Sequence, residues 1–179
     1  LHREGVAADR LQCVGSLYAT ALRACATTTD DAEGALRQPG AGTSAFDPNR
    51  PFGLIGLRGS DGKQLARRID AFAGELKGGL PMLWLVDPAT AETVRLAALE
   101  SRLERQGIAV LPQPAFGEAL ELLRGATVVL ADAASPLAEQ ASLVALPVLE
   151  LAADGSNAEQ VVHAIHDLIA HPAARDAQP

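Results

Sequence analysis

The chain has 179 residues, enough for one ordinary domain with a sizeable hydrophobic core and too few for two large domains. Hydrophobic residues make up 48% and charged residues 21% of the chain, which excludes a disordered or collagen-like protein. The net charge of −7 disfavours binding to a nucleic-acid backbone, and no apolar run approaches the ~20 residues of a membrane-spanning helix. We therefore expect a soluble domain whose partners include neither nucleic acid nor membrane.

The first 50 residues differ from the rest of the chain. Residues 11–14 are typical of a strand and residues 17–26 of a helix, whereas residues 27–50 are polar and rich in Gly and Pro, as in a loop or linker. We expect residues 1–50 to form an interdomain segment and residues 51–179 to form one Rossmann-like domain.

Two features concern the context of the chain. Cys13 and Cys25 are the only cysteines, and they form neither a disulfide framework nor a Cys-x-x-Cys motif. Such sparse cysteine is typical of a reducing compartment, so we expect a cytoplasmic protein. Since the first residue is Leu rather than Met, we also expect the chain to be a piece of a longer protein.

From residue 51 onward, short apolar runs alternate with amphipathic stretches. In chain order, the pattern predicts a strand at 52–58, a helix along 65–76, a strand at 82–86, a helix at about 90–106, a strand at 108–111, a helix at about 116–123, a strand at 127–131, a helix at about 136–144, a strand at 147–151 and a helix at about 158–170. This alternation predicts an α/β fold with a doubly wound parallel sheet. Ligands of such sheets lie beyond the carboxyl ends of the strands, so the turns that follow strands are the place to expect a site.

The first such turn, residues 58–63 (RGSDGK), has two interpretations, one functional and one structural. Its glycines and the start of the next helix offer backbone N–H groups to a phosphate, with Arg58, Ser60 and Gly62 as candidate contacts. It matches neither the Walker A motif nor Gly-x-Gly-x-x-Gly. A tight turn in which Ser60 or Asp61 caps the helix is the interpretation that the residues favour.

Later turns offer further candidate contacts for a nucleotide. Ser135 before Pro136 is typical of an ordinary N-cap with Pro at the first helical position, and as a phosphate ligand it supplies one hydroxyl. Glu139 and Gln140 lie one turn into the same helix, where they are either solvated or within reach of a ribose. Phe116 is either an aromatic wall for a base or a packing residue.

A metal or catalytic centre is not indicated. His163, His166 and Asp167 have a spacing that resembles a metal cluster, but they fall off the apolar stripe of their helix and are expected to face solvent or a partner. No Ser/His/Asp, Cys/His or paired-carboxylate arrangement is brought together by the predicted fold. We therefore predict no metal, no cofactor and no complete set of catalytic residues within this chain.

Taken in order, several segments resemble motifs of the non-hydrolysing UDP-N-acetylglucosamine 2-epimerases. Residues 1–6 (LHREGV) resemble the family's Leu-x-x-Glu-Gly, and residues 54–61 stand where the family has Val-Thr-Leu-His-Arg-Arg-Glu-Asn. Asp87 and Pro88 stand at the end of the family's His-x-Asn-Pro. Residues 128–149 (VVLADAASPLAEQASLVALPVL) are similar to its Val-Leu-Thr-Asp-Ser-Gly-Gly-x-x-Glu-Glu-Ala-x-x-x-Gly-x-Pro-Val-Leu.

The resemblance implies a GT-B arrangement, in which two Rossmann-like domains hold a UDP-sugar between them and this chain is the C-terminal half. The family inverts C2 of the sugar by elimination and re-addition of UDP without a metal or nicotinamide, a reaction that serves polysaccharide biosynthesis. By position, Arg58 matches an arginine of the His-Arg motif, Ser135 falls in the phosphate turn, and Glu139 and Gln140 fall at the glutamate pair that contacts ribose. The implied partners are a UDP-sugar, the N-terminal domain of the same protein and, in a homodimer, a second copy.

The chain also departs from the family pattern. Leu57 and Leu85 replace two motif histidines, residues 133–136 (AASP) replace Ser-Gly-Gly, and the Thr-Glu-Arg-Pro-Glu run beyond Leu149 is absent. These losses predict a weak UDP-sugar binder, or a domain retained for assembly or regulation, that has lost epimerisation. Two alternatives stay open: half of an active epimerase or GT-B glycosyltransferase whose catalytic groups lie in a missing N-terminal domain, and a structural domain with an empty cleft.

Overall fold

The structure is a computed structural model that describes residues 5, 7–10, 12, 20, 46–47, 49–74, 76, 79–112, 114–133 and 135–171. The strand predicted at 11–14, most of the helix predicted at 17–26, and both cysteines lie outside the described residues. Before residue 46 the structure assigns a short 3-10 helix, Ala8–Arg10. The division of the chain at residue 50 therefore stays a prediction.

A five-stranded, all-parallel sheet forms the centre of the described region, and this confirms the predicted α/β fold class. Its strands are β1 (Gly53–Gly56), β2 (Met82–Val86), β3 (Ile108–Pro112), β4 (Val128–Ala131) and β5 (Val148–Glu150). Their spatial order is β3-β2-β1-β4-β5, which is doubly wound. Strands β2 and β3 lie on one side of β1, and β4 and β5 lie on its other side, so the strand order reverses between β1 and β4. Each strand lies within or overlaps a predicted apolar run, because a strand covered on both faces needs apolar residues at nearly every position.

Helices cover both faces of this sheet. They are α1 (Gly62–Ala73), α2 (Pro88–Leu96), α3 (Glu100–Arg105), α4 (Phe116–Gly125), α5 (Pro136–Leu143) and α6 (Ala158–Ala170). The first three and α6 pack on one face, and α4 and α5 pack on the other. None of the helices in the described part of the chain is long and apolar enough to cross a membrane.

The strands supply two hydrophobic clusters because successive side chains point to opposite faces. In β1, Ile55 belongs to the cluster under α1 and α6, whereas Leu54 belongs to the cluster under α4 and α5. In β4, Leu130 and Val129 divide in the same way. The sheet is therefore the wall between two cores, and its carboxyl edge is the place where the turns converge.

The single helix predicted at 90–106 is wrong, because the structure breaks it into α2 and α3. Val94 of α2 and Leu103 of α3 are both buried, yet nine residues at ~100° each would place them on opposite sides of a continuous helix. At the joint, Ala98 adopts φ +51°, in the left-handed region, and this turn brings both apolar residues onto the sheet.

Candidate functional site

A cleft of about 350 Å³ opens at the carboxyl edge of the sheet, where β1, β2 and β4 end. This is the point at which the strand order reverses, the usual ligand position in doubly wound sheets. The cleft is lined by Gly56, Leu57, Arg58, Leu85, Val86, Asp87, Pro114, Phe116, Ala119, Ser135, Pro136, Leu137 and Gln140. Four of the predicted contacts therefore share one cavity: Arg58, Phe116, Ser135 and Gln140.

The turn after β4 is tied to the turn after β1 by the carboxylate of Asp132. Its Oδ2 accepts a hydrogen bond from the Arg58 backbone N–H at 2.7 Å, and its Oδ1 accepts one from the Arg68 guanidinium at 2.5 Å. Arg68, on α1, is only 4% exposed and also donates to the Leu151 carbonyl at 3.0 Å. A buried charge needs a paired carboxylate, so this contact fixes the relative positions of both strand ends.

The end of β1 is held from the side of β2 as well. The indole Nε1 of the fully buried Trp84 donates to the Leu57 carbonyl at 3.1 Å. This bond satisfies a polar group on a buried aromatic and anchors the backbone just before Arg58. The backbone at Leu57, where β1 lines the cleft, is therefore held by the neighbouring strand β2.

Gly56, at the end of β1, allows the start of α5 to pack closely against that strand. A Cβ at Gly56 would lie 2.9 Å from the Leu137 Cβ and 2.9 Å from the Ser135 Oγ, closer than such atoms pack. Ser135 is 5% exposed and occupies the N-cap of α5 before Pro136, as the sequence predicts, but its hydroxyl makes no capping hydrogen bond. Ser135 and Pro136, at the start of α5, line both the cleft and the depression beside it.

Arg58 extends from the β1 turn toward the turn after β2. Its Nε lies 3.7 Å from the Asp87 Oδ2, and the two side chains are 54% and 37% exposed. Asp87 caps α2, accepting the Thr90 backbone N–H at 2.9 Å and the Thr90 hydroxyl at 3.1 Å. The Thr90 backbone hydrogen bond, helped by the Thr90 hydroxyl and more weakly by the Arg58 charge, holds the pKa of Asp87 below its usual value against the opposing effect of burial. Asp87 is therefore an anion at neutral pH.

The remaining cleft candidates come from α4 and α5. Phe116, the first residue of α4, is 37% exposed and lines the cleft together with Pro114 and Ala119. Gln140 is half-buried one turn into α5. Together with Ser135 they add an aromatic face, an amide and a hydroxyl to a cleft that is otherwise mostly apolar.

Three predicted contacts do not line this cleft. Glu139 lines a shallow neighbouring depression of about 370 Å³ that it shares with Ala133 and Ser142. Ser60 is exposed in the turn before α1. Gly62 begins α1, where a Cβ would lie 2.6 Å from the Ala97 Cβ, so its missing side chain is explained by helix packing.

The N-terminus of α1 is already occupied by a carboxylate. Asp61 accepts the backbone N–H groups of Lys63 at 2.9 Å and Gln64 at 3.4 Å. These are the donors that a phosphate would need there. The N-cap interpretation of this turn therefore describes the structure.

Within the described residues, no group of three or more His, Cys, Asp and Glu side chains is arranged to hold a metal ion. His163 lies 3.5 Å from Asp167 on the exposed side of α6, as its position off the apolar stripe indicates. The described residues that line the cleft include no His, Cys, Lys or Tyr, the side chains that most often carry protons near neutral pH.

Sequence reasoning missed the two ion pairs that organise the cleft. It did not identify Arg68 or the role of Asp132, and it placed Asp87 in the turn after β2 and at the family's Asn-Pro without giving it a role. For Asp87 a local signal was present, because Asp followed by Pro is a frequent start of a helix, with Pro at the first position. Asp132 stands at the Asp of the family's Val-Leu-Thr-Asp, but its pairing with Arg68 had no local signal, since the two lie 64 residues apart.

No protein-family model matches this chain, and no curated protein matches its sequence. Solved structures do match. One is the UDP-GlcNAc 2-epimerase of Methanocaldococcus jannaschii in complex with UDP-GlcNAc and UDP, with a TM-score of 0.68 and 15% identity over 94% of this chain and 50% of that chain.

Two further structures agree with the first. Another structure of the Methanocaldococcus jannaschii UDP-GlcNAc 2-epimerase gives a TM-score of 0.62 and 15% identity over 94% of this chain and 50% of that chain. A putative UDP-N-acetylglucosamine 2-epimerase from Listeria monocytogenes gives 0.60 and 16% identity, over 98% and 49%. The resemblance inferred from the sequence motifs is thereby confirmed as a likeness of fold. The chain spans about half the length of the epimerase structures it matches and has the Rossmann-like fold of that half.

Proposed function

We propose that this chain is the C-terminal, nucleotide-sugar-binding half of a two-domain GT-B protein, and that its cleft binds a UDP-sugar weakly. The observation that supports this most directly is the convergence of Arg58, Phe116, Ser135 and Gln140 on one cleft at the point where the strand order reverses. The match to one half of epimerase structures, one of them in complex with UDP-GlcNAc and UDP, supports the same assignment.

Each of these side chains suits a different part of such a ligand. Arg58 offers a charge-assisted hydrogen bond to phosphate, and the Ser135 hydroxyl offers a neutral one beside the start of α5. The Phe116 ring offers a face to the base, and the Gln140 amide suits a ribose hydroxyl. Glu139, Ser60 and Gly62 are left with secondary roles at most, because they do not line the cleft.

The catalytic groups of the whole protein would come from an N-terminal domain. The lining residues that the structure describes carry no side chain of ordinary pKa near 7, and leucines stand at two positions where the resemblance implies histidine. In this proposal the whole protein works in the cytoplasm in polysaccharide biosynthesis, with its own N-terminal domain as the principal partner and a homodimer as its assembly. Whether it still epimerises depends on that domain.

A second candidate function is a structural or regulatory module whose cleft stays empty. The observation that favours it is the apolar lining, since Leu57 and Leu85 replace donors with side chains that cannot bind phosphate. A titration separates the two candidates. Amide shifts should be followed while UDP and UDP-GlcNAc are added to the 179-residue chain. Shifts clustered on the turns after β1 and β4 support the nucleotide site, whereas no shifts at millimolar ligand support the module.

Replacing Arg58 tests the phosphate contact. Arg58→Ala removes the only cation among the described residues lining the cleft and leaves Asp87 facing the ligand without compensation. We expect UDP binding to weaken by about 1.5–3 kcal/mol, the range for losing a charged hydrogen bond, measured by the same titration. Arg67→Ala is the matched control, because Arg67 is an exposed arginine of α1 that does not line the cleft. Equal UDP affinity in both variants would remove Arg58 from the site.

A further inference from the structure

The cleft has an unusual charge balance for a site that accepts a diphosphate. Among the described residues that line it, Arg58 and Asp87 are the charged ones, and they carry opposite charges. Their side chains lie 3.7 Å apart, so the cation is already partly neutralised before any ligand arrives.

Two charged side chains beside the cleft, Arg68 and Glu139, add no uncompensated positive charge to it. The guanidinium of Arg68 is buried and donates to Asp132, so its charge is compensated within the protein. Glu139 adds a negative charge to the depression beside the cleft. A nucleoside diphosphate entering here therefore meets one shared arginine and the nearby carboxylate of Asp87.

Asp87 is also held in place. Its two oxygens accept hydrogen bonds from the Thr90 N–H and hydroxyl, and these bonds together with its cap position keep the carboxylate at the rim of the cleft. Because the pKa of Asp87 is lowered, its carboxylate stays ionised at neutral pH and continues to repel a phosphate group. The resemblance to the epimerases gives this position an Asn, which would cap α2 equally well without the charge.

We propose that Asp87 sets the ligand preference of this cleft by neutralising Arg58, so that the uncharged nucleoside part of a ligand carries the affinity and the diphosphate adds little. This inference rests on the proposed function, because it concerns the same cleft. It assigns Asp87 as a specificity-determining residue that opposes the phosphate group. The apolar lining and the Phe116 ring are the surfaces that recognise the nucleoside.

The test compares uridine with UDP in three proteins: the unchanged chain, Asp87→Asn and Asp61→Asn. Asn retains the hydrogen bond from the Thr90 N–H, so Asp87→Asn removes the charge and keeps the helix cap. Asp61→Asn is the matched control, since Asp61 caps α1 in the same manner and lies outside the cleft lining. Unfolding curves establish that both variants are folded, and amide-shift titrations give the two affinities.

In the unchanged chain we expect UDP and uridine to bind within ~threefold of each other, and in Asp87→Asn we expect UDP to gain about fivefold while uridine is unaffected. The gain in UDP affinity should shrink when salt is added, because it is electrostatic. Asp61→Asn should leave the ratio of the two affinities unchanged. An unchanged ratio in Asp87→Asn, or UDP binding more than ~tenfold tighter than uridine in the unchanged chain, overturns the inference alone. Absence of binding by either ligand to any of the proteins overturns the proposed function together with it.

Discussion

At the scale of single residues, the cleft depends on the carboxylate of Asp132, which stands at the Asp of the Val-Leu-Thr-Asp motif that the chain resembles. Asp132 accepts from the backbone of the β1 turn with one oxygen and from Arg68 with the other. It therefore joins β1, β4 and α1 at a single point. The Nε of Arg68 is buried and has no partner among the described residues, so this guanidinium relies heavily on Asp132 for compensation.

Asp132→Ala should consequently cost far more stability than the loss of an exposed ion pair. The change leaves the Arg68 charge buried without a carboxylate, and breaking buried pairs in this way costs about 3–5 kcal/mol of unfolding free energy. Urea unfolding measures the loss. The comparison is Glu92→Ala, which removes an exposed pair with Arg95 and is expected to cost far less. Similar losses in the two variants would show that the Arg68 contact is not the stronger one.

At the scale of secondary-structure elements, the joint between α2 and α3 shows where periodicity misleads. Helix α2 ends in a Schellman arrangement, in which the Leu99 N–H donates to the Val94 carbonyl at 3.0 Å and the Ala98 N–H donates to the Arg95 carbonyl at 3.1 Å. Such an end usually carries Gly at the left-handed position, but this chain has Ala98 there. Without a glycine, the sequence offered only the mismatch in phase between Val94 and Leu103 as a warning.

The same geometry predicts a stabilising substitution. Ala98→Gly removes the steric cost of a Cβ at φ +51°, which exceeds the entropy that a glycine adds to the unfolded chain. We expect a gain of about 0.5–1 kcal/mol in unfolding free energy, seen as a higher urea midpoint with an unchanged slope. Ala97→Gly is the control, because Ala97 is the exposed neighbour at φ −85° and a glycine there should bring no gain. A loss of stability in Ala98→Gly would contradict the assigned backbone strain.

At the scale of the whole molecule, the sequence was sufficient for the fold class, although not for the break between α2 and α3, and only partly sufficient for the site. A strand of a sheet covered on both faces is an apolar run, so the strands could be predicted from the sequence. Their alternation with helices then predicted the doubly wound parallel sheet. The turns after β1, β2, β3 and β4 were identified as candidate site turns on the same grounds, and residues predicted in them, Arg58, Phe116 and Ser135, line one cleft. The charge balance of the cleft could not be predicted from the sequence, because it depends on contacts between turns that are distant in the chain, such as that of Arg58 with Asp87.

The position of the cleft within the sheet leads to a prediction about the cooperativity of the molecule. Strands β1 and β4 are fully buried and paired on both sides, whereas β5 is partly exposed and pairs only with β4. In hydrogen exchange under native conditions, amides of β1 and β4 should therefore exchange only on global unfolding, and those of β5 and α5 through local opening at lower free energy. Since α5 forms one wall of the cleft, its opening also destroys the site.

UDP binding should therefore slow exchange in both sets of amides. With UDP at about 100 times its dissociation constant, their exchange rates should fall by ~100-fold, equivalent to ~2.7 kcal/mol. The Arg58→Ala variant at the same UDP concentration should show much less slowing, and a slowing of β1 without α5 would mean that the ligand does not depend on the α5 wall.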